Sequence, residues 1–392
     1  MRVTKALFSL IPVLLVFLIA CGGSGSNNSN SISSHVLQPG TTVTLGVNVS
    51  VLVPAGATIT TPMGSVITIS GADNVVNVPV GSVVKVPLSA TGVANTTVTT
   101  AAATGLAATV TVLAGSTTCG NPADGSGSGA VFWCAGGTYL KLDPAGNIVL
   151  SDQGKLRKVT QAGIASTYTN SGLTLGEVNS GIAVDGTGNI FAVGINSQPV
   201  QYSVFLQEVT AGGAVEMLSS SFEIGGWNLG VGGLDVDSSG NLYFADSQNN
   251  RVMKITQAGV ATIFAGTGAA GMNDGDAGTA TFNGPNDLAF DGNGNLFVAD
   301  SLNRAVRKIT PDGTVSTFLG GMGADYLAID KSGNLYVAAD MELLYRVSPS
   351  AVVTEITPSV VAPFSGLALD GQGNIYTRFW GTTAEVVKIT PQ

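Results

Sequence analysis

The residues best placed to carry chemistry are polar side chains that interrupt a repeated apolar pattern. Several short apolar strands end in aspartate, and two positions before that aspartate the chain has Lys141, Ala183, Asp235, Ala289, Ala328 and Ala368. Two charges therefore replace alanine at one repeated position, and burying either without a partner would be costly. We expect Lys141 and Asp235 either to contact a ligand or to form an internal ion pair.

More polar and aromatic residues stand where these strands begin. They are Trp227, Asn228, Asn286, Asp287, Asp325 and Tyr326. With Lys141 and Asp235 they form the predicted ligand-binding surface, because polar groups that converge on a concave site fix the orientation of a ligand. The alternative is ordinary loop polarity around an internal ion pair.

Histidine chemistry is excluded, because the chain contains one histidine, His35, far from every repeated strand. A serine nucleophile activated by histidine is therefore ruled out, and the chain has no Gly-x-Ser-x-Gly elbow. No catalytic residue is assigned, and no cofactor is expected.

The elements that must position these residues repeat six times. Each repeat has an apolar strand that ends in aspartate, two intervening residues and Gly-Asn, and the aspartates are Asp143, Asp185, Asp237, Asp291, Asp330 and Asp370. Successive asparagines of this motif are 39 to 54 positions apart. A period near forty with several short strands per unit indicates a radial β-array. We interpret each motif as a tight hairpin turn in which the glycine has a positive φ, in preference to a metal-binding loop.

The best-formed unit contains four short strands, over residues 287–291, 294–300, 303–309 and 313–318. Residues 233–265 repeat it closely. One four-stranded sheet per repeat is the pattern of a propeller blade. The recurring Asp246, Asp300, Asn250, Asn303, Arg251 and Arg304 are interpreted as scaffolding within the blades.

These motifs resemble the NHL repeat, with Gly-Asn-Leu-Tyr-Phe-Ala-Asp at 240–246 and Asn-Arg-Val-Met-Lys at 250–254 as examples. The resemblance covers residues 129–392 and implies an all-β fold, a six-bladed β-propeller of NHL type. The sixth unit ends without an outer strand, whereas residues 129–136 have the pattern of one. We therefore predict that strand 129–136 pairs with 385–390 and closes the ring, which would remove an open sheet edge.

The N-terminus predicts export and anchoring. Arg2 and Lys5 precede an apolar run that ends in Leu-Ile-Ala before Cys21, and residues 1–20 read as a signal peptide. The ending resembles a bacterial lipobox, which implies lipidation of Cys21. Residues 21–35 are rich in Gly, Ser and Asn and read as a flexible tether. We expect a bacterial membrane lipoprotein outside the cytoplasm, at the periplasmic face or at the outer membrane and cell surface.

A small β-rich domain is predicted over residues 36–115, where short Val- and Thr-rich runs alternate with Gly and Pro. This spacing favours a small β-sandwich, of which the immunoglobulin-like arrangement is one form. A spacer role is favoured over a binding role, because the segment has no aromatic residue to serve as a binding hot spot. Residues 116–128 are rich in Gly and Ser and form the predicted linker.

Two cysteines, Cys119 and Cys134, remain after the anchor is set aside. In an oxidising compartment we expect them to form a disulfide. Two unpaired small hydrophobic residues are the competing interpretation. Two sulfurs with no nearby histidine would provide only half of a zinc site.

One further segment, Asn273-Asp274-Gly275-Asp276, places two carboxylates and an amide close together in a Gly-rich insertion. It lacks the downstream glutamate of a helix-flanked calcium loop. A solvated connecting loop is the preferred interpretation, and no metal site is assigned.

The acidic balance argues against two partner classes. With a net charge of -9 the chain is not expected to bind nucleic acid or anionic lipid headgroups through its surface. We expect a monomeric binding scaffold, anchored to the membrane through Cys21, that presents the propeller to a protein, peptide or glycan. The interpretation as a non-enzyme is preferred.

Enzymes of similar architecture provide the alternative. A peptide-amidating lyase or a streptogramin lyase would need histidines that this chain lacks. A metal-dependent lactonase of the gluconolactonase type would use Glu, Asn and Asp around the channel. Asp235, Asn286, Asp287 and Asp325 match part of that set, but no glutamate stands on a predicted inner strand.

Overall fold

The computed structural model describes residues 106–116, 119–134, 138–168, 181–198, 201–223, 231–360, 362–381 and 383–392, and six short strands between residues 42 and 101. Cys21, Trp227 and Asn228 lie outside these residues, as do the predicted signal peptide and tether. One compact unit comprises residues 1–105, 318–322 and 350–354, and a second contains the remainder. Within the described residues no helix has the length and apolarity needed to cross a membrane.

The strands before residue 102 pair in parallel. They are β1 (Thr42–Thr44), β2 (Thr58–Thr60), β3 (Val66–Ile67), β4 (Val75–Pro79), β5 (Val83–Val84) and β6 (Thr97–Ala101). The first sheet has the order β1-β2-β4-β6, and β3 pairs with β5. The small β-sandwich expected for residues 36–115 stays a prediction, because much of this segment lies outside the described residues. Short Val and Thr runs separated by Gly and Pro indicate strands, but they do not fix strand direction.

The second unit is all-β and begins with β7 (Leu106–Ser116) and β8 (Gly125–Ser126), followed by a 3₁₀ turn at Gly127–Gly129. Six antiparallel meanders follow in its described part. The strands of the first three meanders are, in order, β9 (Leu140–Leu142), β10 (Ile148–Asp152), β11 (Lys155–Val159) and β12 (Ile164–Thr167); β13 (Ile182–Val184), β14 (Ile190–Gln198), β15 (Gln201–Val209) and β16 (Val215–Glu223); and β17 (Val231–Val236), β18 (Leu242–Asp246), β19 (Arg251–Ile255) and β20 (Ala261–Ala265).

The last three meanders follow a two-residue strand, β21 (Gly275–Asp276). Their strands are β22 (Pro285–Phe290), β23 (Leu296–Asp300), β24 (Ala305–Ile309) and β25 (Thr314–Gly320); β26 (Ala324–Ile329), β27 (Leu335–Ala339), β28 (Leu343–Val347) and β29 (Val353–Pro358); and β30 (Phe364–Leu369), β31 (Ile375–Phe379) and β32 (Ala384–Pro391). Further 3₁₀ turns lie at Ser247–Asn249 and Ser301–Asn303. In each meander, neighbours in sequence are neighbours in the sheet.

The first strands of the meanders are consecutive neighbours. β9 lies next to β13, β13 next to β17, β17 next to β22, β22 next to β26, β26 next to β30, and β30 next to β9. We call these six the inner strands. The second strands are buried on both faces where their side chains are described, as at Leu296–Asp300, because they pack between adjacent sheets. This burial explains their nearly continuous apolar sequence.

The six Asp-x-x-Gly-Asn motifs form tight turns, as the sequence predicts. In each turn the Asp carbonyl accepts the Gly N–H, and the Asp N–H donates to the Asn carbonyl. The Asp carboxylate accepts the Asn N–H as well as its side-chain amide, at 2.8 and 2.7 Å for Asp291 and Asn295. The glycine has a positive φ in all six turns, from 77° to 92°. Each of these aspartate carboxylates is thus bonded within its own turn.

Buried acid–arginine pairs hold the neighbouring turns. Asp300 accepts the backbone N–H of Asn283 at 2.7 Å, the side-chain amide of Asn303 at 2.7 Å and a guanidinium N–H of Arg307 at 3.1 Å. Arg307 also donates to Asp274 at 2.7 Å. Asp274, one of the two acids in the insertion considered for metal binding, therefore anchors the insertion to β24. The scaffolding role predicted for Asp300 is consistent with these contacts.

The strand that pairs with β32 is β7, so the predicted partner, 129–136, is wrong. The antiparallel register joins Ala384 to Ser116 and Pro391 to Ala108, and β7 also pairs in parallel with β29 through Leu106–Ala108. An N-terminal strand does complete the last meander, but it comes from residues assigned by sequence to the preceding domain and linker. The eleven residues of β7 are enough to pair along all eight residues of β32, whereas the described part of 129–136 takes part in one isolated bridge, Ala123–Val131.

Cys119 and Cys134 form a disulfide, with their Cα atoms 5.3 Å apart. The bond joins two short segments that also pair through backbone, since Gly120 N–H donates to the Phe132 carbonyl. The disulfide therefore closes a small loop beside the first meander. It does not tie the linker to the closing strand, which is β7.

Candidate functional site

The starts of the inner strands surround a pocket of about 510 Å³. Its polar lining comes from meanders 3 to 5 and from the turns between their strands: Ser247, Gln248, Asn250, Asn286, Ser301 and Asp325. Its apolar lining is Leu302, Tyr326, Met341, Phe364 and Trp380. We call this cavity the entrance pocket. Three of the residues predicted from sequence, Asn286, Asp325 and Tyr326, lie in it.

Asn286 is held by bonds from both sides. Its side-chain amide donates to the carbonyl of Asp325 at 2.7 Å. Its backbone carbonyl and its side-chain oxygen accept the hydroxyl of Tyr139, at 3.1 and 3.3 Å. The carboxamide therefore links β22 to β26 and to β9, and it has a fixed orientation at the floor of the entrance pocket.

Two tyrosines pack against each other under the pocket. Tyr139 and Tyr326 meet edge to face, with ring centroids 5.6 Å apart. Burial raises the pKa of Tyr139 well above its usual range, and it raises the pKa of Tyr326 to about 12. Both hydroxyls therefore remain protonated at physiological pH and act as hydrogen-bond donors or acceptors.

Asp287 lies one residue beyond Asn286 and is almost fully buried. Its carboxylate accepts the backbone N–H of Leu288 at 2.8 Å and that of Leu327 at 2.9 Å. Burial raises the pKa of Asp287 to about 6, although the nearby Lys141 charge and these hydrogen bonds act in the opposite direction. Both oxygens of Asp287 are thus used inside the protein.

Asp287 fits because the facing strand carries glycine. A Cβ on Gly233 would lie 1.7 Å from the Asp287 carboxylate. The residues four positions before the turn aspartates are Tyr139, Gly181, Gly233, Asp287, Tyr326 and Gly366. Three large side chains thus share the centre with three glycines. This pattern is visible in the sequence, and it is the signal that would have identified Tyr139.

Lys141 and Asp235 form an ion pair. Their Nζ and Oδ1 atoms are 3.7 Å apart, and each side chain is 19% exposed. The other Asp235 oxygen accepts the backbone N–H of Phe290 at 2.9 Å. Of the two outcomes considered for this repeated position, the internal pair is the one present, and it joins β9 to β17 across the centre.

Asp325 is the charged residue that lines the entrance pocket. One of its oxygens accepts the backbone N–H of Met341 at 3.2 Å. Burial raises the pKa of Asp325, the neighbouring Asp340 adds to this rise, and Arg304 opposes it. Arg304 is itself held by Asp340 through two hydrogen bonds of 2.6 and 2.9 Å. The guanidinium is therefore committed to Asp340.

Several pocket residues were missed at the sequence level. Ser247 and Ser301 follow the aspartates of β18 and β23, and Trp380 follows β31. The recurrent Ala-Asp-Ser at 245–247 and 299–301 was visible as a repeat, but its serines were not assigned to a site. Trp380 lies where the sixth repeat departs from the others, and its indole N–H donates to the Phe364 carbonyl at 3.1 Å.

A metal centre would need several ligands that converge. Across the parts of the chain with described side chains, no three His, Cys, Asp or Glu residues are grouped so that they could hold a metal ion. Asp235, Asp287 and Asp325 each accept a backbone N–H, and Asp235 also pairs with Lys141. The two remaining predicted residues, Trp227 and Asn228, fall in an undescribed stretch.

Comparison with known proteins gives limited matches. No protein-family model matches the chain. One curated protein, SUPPRESSOR OF QUENCHING 1, chloroplastic, from Arabidopsis thaliana, is 38% identical over 73 residues, which are 18% of this chain and 7% of that protein. The chain therefore matches only a small part of the length of this relative.

Solved structures with a similar fold include two enzymes. Virginiamycin B lyase from Staphylococcus aureus has 16% identity and a TM-score of 0.45, and the match covers 64% of this chain and 80% of that protein. A gluconolactonase from Xanthomonas campestris has 14% identity and a TM-score of 0.48, and the match covers 66% of this chain and 87% of that protein. These neighbours are of β-propeller type.

Proposed function

We propose that this chain is a membrane-anchored, extracytoplasmic binding protein in which a six-bladed propeller of NHL type presents the entrance pocket to a protein, peptide or glycan. The observation that carries the proposal is the entrance pocket itself, about 510 Å³ in volume, at the starts of the inner strands. Its lining combines aromatic residues with a few oriented polar groups, as ligand pockets usually do.

Six repeats support the propeller architecture. The inner strands are consecutive neighbours, and β30 returns to β9. Each of the six meanders has the same Asp-x-x-Gly-Asn turn. Pairing of β7 with β32 supplies a fourth strand to the last meander, so each of the six contains four strands.

The anchoring part of the proposal depends on the N-terminal sequence. Cys21 follows Leu-Ile-Ala, and the disulfide between Cys119 and Cys134 suits an oxidising compartment. Metabolic labelling with a fatty acid, followed by membrane fractionation, tests this part. We expect label on the wild type and none on Cys21→Ser. Equal labelling of both proteins would refute lipidation at Cys21.

Binding at the entrance pocket is tested by comparing two proteins on glycan and peptide arrays. The full-length protein is compared with Trp380→Ala, because the indole lines the pocket. We expect ligands bound by the wild type to be lost or weakened at least tenfold in the variant. Unchanged binding in Trp380→Ala would show that the ligand site lies elsewhere.

Lactonase activity is the alternative, and the geometry supports it less. The acids considered for it are bonded internally, since Asp287 accepts two backbone N–H groups and Asp235 pairs with Lys141. A panel of lactones with added divalent metal provides the test. Hydrolysis that disappears in both Asp235→Asn and Asp287→Asn would replace the binding proposal with the enzymatic one.

A further inference from the structure

The chemical character of the entrance pocket follows from how its hydrogen-bond donors are used. The hydroxyls of Ser247 and Ser301 donate to the backbone carbonyls of Pro285 and Ala324, the latter at 2.6 Å. A hydroxyl has one donor and two acceptor positions, so each serine oxygen keeps acceptor capacity but has no donor to offer a ligand.

One N–H of each asparagine amide and the indole N–H also donate to the protein. The side-chain amides of Asn286 and Asn250 donate to backbone carbonyls at 2.7 and 3.3 Å, and the Trp380 indole donates at 3.1 Å. Gln248 lies exposed at the rim, where its amide can turn to solvent. Each of these two asparagine amides keeps a second N–H, but the Asp325 carboxylate and the two serine oxygens make the lining richer in acceptors than in free donors.

Backbone donors at the pocket are also used. The N–H of Gly284 donates to Asn250 at 2.9 Å, that of Leu302 to the Asn283 carbonyl at 3.1 Å, and that of Met341 to Asp325 at 3.2 Å. A ligand that needs donors from the protein, such as an anion, would find few here.

Asp325 adds a negative charge to this acceptor-rich lining. One of its oxygens accepts a backbone N–H, and no hydrogen bond to the other is formed within the described residues. The nearest cation, Arg304, is engaged in its bidentate pair with Asp340. A partly buried carboxylate beside Tyr326, Phe364 and Trp380 combines the two features that favour organic cations, namely charge and aromatic rings.

We propose that the entrance pocket binds a ligand through a positively charged amine or guanidinium group, with Asp325 as its counter-ion and the aromatic lining around its apolar stem. The ligand supplies N–H donors to the acceptors of the pocket. The cation comes either from a lysine or arginine side chain of a peptide or from a free small amine. This inference rests on the proposed function and names the ligand class for that same pocket.

The test uses the full-length protein in detergent and isothermal titration calorimetry. The probes are Nα-acetyl-lysine amide, Nα-acetyl-arginine amide and the neutral Nα-acetyl-norleucine amide, which has a stem similar to that of lysine. We expect one of the two cations to bind at least tenfold more tightly than the neutral probe. Equal affinity for the charged and neutral probes, or no binding of either cation, would overturn the inference.

Two variants distinguish a direct contact between the ligand cation and Asp325 from long-range electrostatic attraction. Asp325→Asn removes the charge but keeps an oxygen for the Met341 N–H. Glu342→Gln removes an equal charge from the exposed residue next to Met341 without altering the pocket lining. We expect cation affinity to fall about tenfold in Asp325→Asn and to stay within twofold in Glu342→Gln. Equal losses in both variants would refute Asp325 as the counter-ion.

A tetrapeptide with one lysine and its lysine-acetylated form distinguish the two sources of the cation. Tighter binding of the unmodified peptide than of the free amine indicates a peptide partner, whereas equal binding indicates a small amine. If the neutral probe or a disaccharide binds the wild type and not Trp380→Ala, the pocket functions but the ligand class is wrong. If no probe or array ligand depends on Trp380, the proposed function fails.

Discussion

The two ends of the inner strands differ in how uniform they are. At the turn end, six copies of Asp, Gly and Asn make the same hydrogen bonds. At the opposite end, where the strands begin, the corresponding residues vary between meanders and include Asn286, Asp325 and Ser365. A position that repeats six times with its polar atoms bonded internally serves the fold. The end where the repeats diverge is the one that contains the entrance pocket.

The aspartates at the two ends also differ in how many hydrogen bonds they accept. Asp291 and Asp325 lie at opposite ends of adjacent meanders, and Asp291 accepts three hydrogen bonds whereas Asp325 accepts one. Asp287 is almost fully buried, and each of its two oxygens accepts a backbone N–H. Substitutions should therefore lower stability at the turn end and in the centre, and they should affect ligand binding at the pocket end.

The largest effect is expected from Gly233→Ala. The added methyl group would overlap Asp287, which cannot move away because two backbone N–H groups hold its carboxylate. We expect a loss of about 3 kcal/mol in the free energy of unfolding, measured by urea denaturation. The loss should shrink in an Asp287→Ser background. An equal loss in both backgrounds would mean that the contact with Asp287 is not its cause.

The next largest effect on stability is expected when the aspartates at the two ends are replaced. Asp291→Ala removes three hydrogen bonds and should cost about 2 kcal/mol, whereas Asp325→Ala removes one longer bond and should cost less than ~1 kcal/mol. Both values are obtained from denaturation at pH 7. Equal costs would contradict the division of roles between the two ends.

The pH dependence of Asp291 follows from the same bonds. Burial alone would raise the pKa of Asp291, but hydrogen bonds from Asn295 and Asn293 outweigh it and lower the pKa below 3.8. The stabilisation is present above pH 3.8 and is lost as the pH falls through the lower, folded-state pKa. The difference in the free energy of unfolding between the wild type and Asp291→Ala should therefore narrow only below pH 3.8.

A smaller effect, with the opposite dependence on pH, is expected for Asp287→Asn. The folded-state pKa of Asp287 is about 6 and its usual value is 3.8, so the folded protein binds the extra proton between these values. The wild type should gain stability as the pH falls from 7 to 4.5, and the variant should lack this gain.

At pH 7 the asparagine should cost about 1 kcal/mol, since its single oxygen cannot accept both backbone N–H groups. Thermal denaturation at the two pH values measures both quantities. If the wild type and the variant respond identically to pH, Asp287 does not titrate in this range.

The smallest effect on stability is expected at the pocket rim. Leu302 is 71% exposed, so Leu302→Ser should change the free energy of unfolding by less than about 0.5 kcal/mol. Its effect on ligand affinity should exceed its effect on stability, because the side chain lines the pocket. A stability loss comparable to that of Asp291→Ala would place Leu302 in the scaffold.

Local chemistry explains why the turns were predictable. Asp, Gly and Asn at fixed offsets specify a turn whose hydrogen bonds all lie within five residues. The ion pair of Lys141 and Asp235 was also considered from sequence, because two opposite charges occupy the same position in different repeats. These inferences needed no knowledge of how the meanders are arranged.

Long-range strand pairing explains why other features could not be predicted from the sequence. Residues 129–136 resemble an outer strand in composition, but the partner of β32 was decided by the longer β7, which lies further back in the chain. Tyr139 and Trp380 reach the pocket region from the first and last meanders, which are neighbours only after the inner strands have assembled. Residue types indicate such positions only once the arrangement of the strands is known.

Strand β7 has a consequence for how the chain can be made. Its contacts connect residues far apart in sequence, as in the bond from Val110 to Ser359, which are 249 positions apart. It pairs with both β29 and β32, so it cannot complete its pairing until these C-terminal strands have been synthesised. Such non-local pairing slows folding. A chain that is cut short during synthesis would keep β7 as an unprotected edge, and proteases would distinguish it from the finished protein.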